Sequence, residues 1–326
     1  MQPTLNAIRS AQELLGRYFP MTRLLDAPFL SGITGGRVSL KMETDLPTGS
    51  FKVRGALYGL ASNLAQRRIR EVVASSTGNH GAAVAYAAKL LGVRAKIFLP
   101  AGCNRVKRDR IAALGAEIVE HGKDGAEAFA LASEWCAQAP DSFFLNDATD
   151  PYLPAGPGVI GLEILQQNPG VQMIIVPVGD TALIRGVGAA AKQVSPQVKI
   201  VGVQAERAPS YYLSWKSGQA MPTDSCDTFA DGLATRTPVA ANVEAIREIV
   251  DDLVLVSEQE MLNALGVLLL QEHVVAEPAG AAATAALLKK PPVTEKDIVL
   301  VVSGLNVAPE VLRRAAELMS SQNAGN

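Results

Sequence analysis

Four short segments carry residues whose types and spacing suit chemistry. The first is Thr48-Gly49-Ser50-Phe51-Lys52-Val53-Arg54-Gly55-Ala56, a turn entering a helix with Lys52 near its start. The positive end of a helix dipole disfavours an ammonium there, and enclosure beside Phe51 would lower the amine's pKa further. The neutral amine is the nucleophile of Schiff-base chemistry. Read locally, Lys52 is either such a lysine or an ordinary solvated one. The second segment is Ser75-Ser76-Thr77-Gly78-Asn79-His80-Gly81, between a strand and a helix. Free N–H groups at the helix start, with the hydroxyls of Ser76 and Thr77, suit a carboxylate. Asn79 could donate to a phenolate-type oxygen. A capped strand–helix turn with a structural His80 is the alternative.

The third segment is Val176-Pro177-Val178-Gly179-Asp180-Thr181-Ala182-Leu183. Its backbone N–H groups could cradle a phosphate. One glycine is not a glycine-rich loop, however, and an inward Asp180 would repel the anion, so a simple N-capped helix fits equally well. The fourth is Val301-Val302-Ser303-Gly304-Leu305-Asn306. There the Ser303 hydroxyl either bonds a ring nitrogen or closes a turn.

Alternating strands and helices must position these segments. Short β-branched runs are predicted at 38–43, 72–76, 95–100, 117–120, 143–146, 173–179, 198–204, 253–257 and 298–303. Alanine-rich helices are predicted at 81–91, 105–114, 126–138, 183–193, 258–272 and 280–288. Near-continuous apolar strands alternating with helices imply parallel sheets covered on both faces. The strands fall into two groups, about 71–147 and 172–304, and the Pro- and Gly-rich stretch 147–158 reads as a connection between lobes. Residues 320–326 read as a frayed end. In open α/β sheets ligands sit beyond the carboxyl ends of the strands, where all but the first of these segments begin.

Composition excludes several functions. The 326 residues hold 30 Lys and Arg against 32 Asp and Glu, a net charge of -2, which leaves no basic surface for nucleic acid. Aromatic residues are only 5%, too few for base-stacking platforms. The longest apolar runs fall far short of the ~20 residues of a membrane span, and the N-terminus lacks a secretory pattern. Cys103, Cys136 and Cys226 have neither metal-ligand spacing nor an even count. They read as reduced thiols of a cytoplasmic protein.

Taken together and in order, the segments resemble the fold-type II pyridoxal-phosphate enzymes, closest to threonine and serine dehydratases and serine racemase. The order is the lysine turn, S-S-T-G-N-H-G, L-G-A-E, G-x-G-x-x-G-L-E at 156–163, V-P-V-G, A-D-G-L at 230–233, A-E-P-A-G-A at 276–281, and S-G-x-N. The resemblance implies two open, mostly parallel sheets, with a small substrate-carboxylate domain (70–147) inserted in a large cofactor-binding domain (1–69 and 148–326). It implies that Lys52 bears pyridoxal 5'-phosphate beside Phe51 and acts as the proton-transfer base. Asn79 then meets the 3'-oxygen. Residues Ser76, Thr77, Gly78, Asn79 and His80 bind the substrate carboxylate. Gly179, Asp180, Thr181, Ala182 and Leu183 hold the phosphate, and Ser303 partners the pyridine nitrogen. Thr77 replaces the serine that serves the racemase as opposite-face acid/base.

The implied activity is β-elimination from a β-hydroxy amino acid, giving a 2-oxo acid and ammonia, by a cytoplasmic homodimer. β-Replacement or a threonine-synthase-like activity on the same cofactor, racemisation, and a non-catalytic cofactor-binding homologue are the alternatives. Three departures stand out: Asp180-Thr181-Ala182 replaces a glycine run, Leu305 a glycine, and Gly156-Pro157-Gly158-Val159 a common G-Q-G-T. Gln204 and Ser210 stand where some relatives place metal-binding carboxylates. No metal is therefore expected unless Glu206 substitutes, and no regulatory extension is expected after Asn306.

Overall fold

The structure, a computed structural model, describes residues 2–289 and 294–324. The strands are β1 (Leu24–Asp26), β2 (Arg37–Met42), β3 (Glu71–Ser75), β4 (Arg94–Leu99), β5 (Glu117–Glu120), β6 (Ser142–Phe144), β7 (Met173–Pro177), β8 (Lys199–Ala205), β9 (Asp252–Val256) and β10 (Asp297–Val302). The helices begin with α1 (Leu5–Leu15), α2 (Pro28–Thr34), α3 (Lys52–Gln66), α4 (Asn79–Leu91), α5 (Arg105–Ala113), α6 (Gly125–Gln138) and α7 (Ala155–Gln167). They continue with α8 (Ala182–Val194), α9 (Ser210–Ser217), α10 (Ala240–Ile249), α11 (Glu258–Leu270), α12 (Pro278–Lys289) and α13 (Pro309–Ala324).

The strands form two sheets. One has six strands in the order β1-β2-β10-β7-β8-β9, and the other has four in the order β5-β4-β3-β6. Every pairing is parallel except the antiparallel β1–β2 edge. Strand β7, and β10 from Ile298 onward, are buried apolar runs, as a parallel sheet covered on both faces requires. One apolar cluster joins Leu40, Ile175, Leu265 and Leu300 beneath α11 and α12. Another joins Ile174, Ile184, Ile246 and Val301 beneath α8 and α10 on the opposite face. A third packs Ile8, Leu57, Val72, Ala83 and Leu162 together, so α1, α3 and α7 share a core with the four-stranded sheet. No described helix is long and apolar enough to cross a membrane.

The two sheets arise from the two predicted strand groups, with the 37–42 strand joining the second group as a neighbour of β10. The connection predicted at 147–158 is shorter than expected, because α7 already begins at Ala155. Pro157 lies in its first turn, where a missing N–H breaks no helical bond. A Cβ at Gly156 would fall 2.4 Å from the Arg54 carbonyl oxygen, so the glycine there serves helix contact rather than a bend. Helix α4 begins at Asn79, two residues before its predicted start. The end expected to fray at 320 continues as helix to Ala324, and residues 325–326 lie outside the described residues. None of the three cysteines is in a disulfide.

Candidate active site

The lysine turn is stitched to the end of β10. Phe51 N–H donates to the Ser303 carbonyl at 3.0 Å, Leu305 N–H donates to the Gly49 carbonyl at 2.9 Å, and Ser50 bridges Gly304. These bonds place Lys52, the first residue of α3, beside Ser303, although about 250 residues separate them in sequence. The Lys52 ammonium lies 5.4 Å from the centre of the Phe51 ring and is ion-paired with Asp147. Burial pulls the ammonium down, but Asp147, Asp180 and Glu277 outweigh it and raise its pKa above the ordinary 10.5. The expected depression at the helix start is thus reversed, because nearby carboxylates act more strongly than a dipole end.

Asn79 reaches the same junction from the other sheet. Its Nδ2 donates to Glu277 Oε1 at 2.7 Å, and its Oδ1 accepts from Asn306 Nδ2 at 2.5 Å. Asn306 also donates to the Thr48 carbonyl at 2.9 Å, and through its backbone N–H to Glu277 Oε2 at 3.1 Å. Burial pushes the Glu277 carboxyl up to about 7, against the hydrogen bonds from Asn79 and Asn306. His80 turns away from the Ser76–Gly78 loop: its Nε2 donates to the Leu145 carbonyl at 2.9 Å, and Nδ1 lies 3.7 Å from Asp147. In the loop itself, Ser76 Oγ accepts from Gly78 N–H at 3.2 Å, and no side chain caps α4. Its first-turn N–H groups therefore face the junction without a side-chain cap.

The 179–183 loop meets the junction at the end of β7. A Cβ at Gly179 would lie 2.2 Å from the Gly232 carbonyl oxygen, so only glycine fits. Thr181 takes the left-handed conformation at φ +68°, the role a glycine would ordinarily fill, and its hydroxyl donates to the Asp180 carbonyl at 2.6 Å. Asp180 Oδ1 accepts from Thr235 Oγ1 at 3.2 Å. Burial, then the neighbouring Asp147, push its carboxyl toward the neutral acid. Arg185, buried on the first turn of α8, donates to the Ala148 carbonyl at 3.4 Å. Sequence motifs assigned no role to Arg185, to Glu277 within the A-E-P-A-G-A segment, or to Asp147 at the start of the 147–158 connection.

The donor set fits the group that the resemblance implies. An amine suits an aldehyde, an amide N–H₂ a phenolic oxygen, and a hydroxyl a ring nitrogen. The first turn of α8, with Thr181 and the Arg185 guanidinium, suits a phosphate dianion. Asp180 is engaged at Oδ1 by the Thr235 hydroxyl. At the predicted metal positions, Gln204 accepts from Tyr212 N–H at 2.9 Å, Ser210 donates to the Thr235 carbonyl at 2.6 Å, and Glu206 pairs with Lys289.

Behind the lysine, Arg54 binds both oxygens of Glu43 (2.7 and 3.0 Å) and of Glu163 (2.8 and 2.9 Å). Lys41 adds a 2.6 Å bond to Glu163. All four side chains are buried, and the network ties α3 to α7 and β2.

An L-threonine ammonia-lyase of Thermotoga maritima is 39% identical over 311 residues, covering 95% of this chain and 77% of the relative. A solved threonine deaminase, that of T.th., superposes with a TM-score of 0.87 at 33% identity, covering 94% of this chain and 99% of that one. Maize serine racemase superposes with a TM-score of 0.90 at 27% identity, covering 99% and 100%. Residues 17–304 match the family described as pyridoxal-phosphate dependent enzymes, a span that takes in the lysine turn and reaches Gly304 beyond β10. The chain therefore belongs to the pyridoxal-phosphate dependent enzymes and takes pyridoxal phosphate as its cofactor.

Proposed function

We propose that the chain is an ammonia-lyase that converts a β-hydroxy amino acid, L-threonine first and L-serine second, to a 2-oxo acid and ammonia. The observation that carries this reading is the junction of Lys52, Asn79 and Ser303 between two parallel sheets. It occurs in a chain 39% identical to an L-threonine ammonia-lyase. Bound pyridoxal phosphate supplies the electron sink for the Cα carbanion. Lys52 takes the Cα proton. The N–H groups at the start of α4, with Ser76 to Asn79, hold the substrate carboxylate, while the His80 side chain points away to Leu145. Asn79 sets the phenolic oxygen and Ser303 the ring nitrogen, while Gly179 to Leu183 and Arg185 hold the phosphate. The β-hydroxyl departs as water, taking up one proton for the one Lys52 removes from Cα, so the elimination is proton-neutral. Hydrolysis of the remaining unsaturated amine consumes one water and frees ammonia.

Helix α5 covers the junction in this reading. Lys107 pairs with Asp231, and Arg110 Nη2 donates to the Thr48 carbonyl at 2.6 Å. Both bonds bring α5 against residues of the lysine turn and the A-D-G-L segment, which suits water exclusion during turnover. We take 70–147 as the small substrate domain and 1–69 with 148–326 as the cofactor domain, acting as a cytoplasmic homodimer.

The test is release of 2-oxo acid and ammonia by the cofactor-loaded protein from L- and D-threonine, L- and D-serine, 3-hydroxyaspartate and phenylserine. Equimolar release from L-threonine is expected. Silence across the panel, in protein that visibly holds the cofactor, overturns elimination in favour of β-replacement.

A further inference from the structure

Asp147 stands where no motif led. It lies just after β6, on the segment returning from the four-stranded sheet, yet its carboxylate is the hydrogen-bonding partner of the Lys52 ammonium. Its side chain is 15% exposed, as Lys52's is 16%, so the pair is largely withdrawn from water. His80 stands on the other side of the carboxylate. Its Nε2–H is committed to the Leu145 carbonyl, which leaves Nδ1 facing Asp147 at 3.7 Å, with no hydrogen-bond partner of its own. The other charged groups around the pair are Asp180 from the 179–183 loop, Arg185 from α8 and Glu277 from the segment before α12. Of the three carboxylates, only Asp147 touches the reacting nitrogen.

In the proposed reaction Lys52 alternates between a covalently engaged nitrogen and a free amine that takes a proton from Cα. Each proton transfer creates an ammonium inside a site closed to water. An unpaired charge there is costly. We propose that Asp147 is a catalytic partner of Lys52, one that receives the ammonium formed at each proton abstraction. The bond broken is Cα–H, the bond formed is Nζ–H, and Asp147 exchanges no electrons and keeps its charge. The same contact makes free Lys52 a poorer nucleophile at neutral pH, because its proton must leave before a Schiff base forms.

This inference rests on Lys52 being the reactive lysine, and the experiment separates the two. The full-length chain, stripped of cofactor, is trace-acetylated with acetic anhydride from about pH 7 to about pH 11, and the Lys52 peptide is quantified by mass spectrometry. In the wild type the reactivity midpoint is expected above that of an ordinary lysine. In Asp147→Asn it is expected at least about one unit lower, since burial is then opposed only by the more distant Asp180 and Glu277. Reconstituted Asp147→Asn should form its cofactor linkage faster at neutral pH. Its kcat should nonetheless fall by about tenfold or more, with the basic-group limb of the pH profile moved to lower pH. A wild-type midpoint at or below the ordinary lysine value overturns the inference without any variant, as does an Asp147→Asn midpoint equal to wild type. Cofactor linkage that survives in Lys52→Ala overturns the functional reading instead.

Discussion

Arg54 is the side chain whose removal the structure makes most costly. It lies two residues beyond Lys52, is 1% exposed, and donates to both oxygens of Glu43 and of Glu163, which are themselves buried. Arg54→Ala leaves two buried carboxylates sharing only Lys41 and Thr22. Breaking a buried ion pair from one side costs about 3–5 kcal/mol. A chain of 326 residues has an unfolding entropy of about 0.7 kcal/mol/K, so the melting temperature should fall by about 4–7 °C. Arg23→Ala is the control. It removes a largely exposed pair with Asp45 and should cost no more than about 1 kcal/mol.

The pH dependence adds a second check. Burial would raise the Glu163 carboxyl, but Arg54 and Lys41 outweigh it and hold it below the ordinary value in the folded state. A carboxyl depressed on folding contributes stability above its unfolded pKa, and that contribution is lost as pH falls through the folded value. The gap between wild type and Arg54→Ala should therefore be widest near neutrality and narrow below about pH 4. Calorimetry of the two variants across pH measures both effects. Equal melting losses for Arg54→Ala and Arg23→Ala, or a gap unchanged in acid, refutes the reasoning.

Two further outcomes follow from the geometry. Gly179→Ala places a Cβ 2.2 Å from the Gly232 carbonyl, which cannot swing aside, so cofactor affinity should fall by about tenfold or more in a fluorescence titration and the cofactor-free chain should lose about 1–3 kcal/mol of stability. Lys107→Ala removes an ion pair between partly exposed groups on α5 and the A-D-G-L segment, so stability should hold within about 1 kcal/mol. In the wild type KM should rise with added salt as that pair is screened, and in Lys107→Ala the salt dependence should flatten.

The parts of the fold visible in the sequence are those set locally. Apolar runs such as 173–177 and 298–302 became the central strands because a parallel strand buried on both faces has few other ways to look. Lys52 and Ser303 were visible because each follows a recognisable turn or strand end. Asp147 was hidden because its partner is 95 residues away and nothing in Asn146-Asp147-Ala148 marks a site. Arg54 and Glu163 lie 109 residues apart, and each reads alone as an ordinary helix charge. Helix α7 was partly hidden because Gly156-Pro157-Gly158 has turn composition. Gly156 answers to the Arg54 backbone and Gly158 to the Ile8 side chain rather than to a local bend. The direction of the Lys52 shift was misread for the same reason, since the dipole is local and the carboxylates arrive from three distant segments.

The account is tested most directly by reducing the cofactor-loaded enzyme with borohydride, digesting it, and mapping the pyridoxyl-modified peptide by mass spectrometry. The expected result is a single modified residue, Lys52, and no modification in Lys52→Ala. Modification of another lysine, or an unmodified Lys52 in protein that turns over L-threonine, would contradict it.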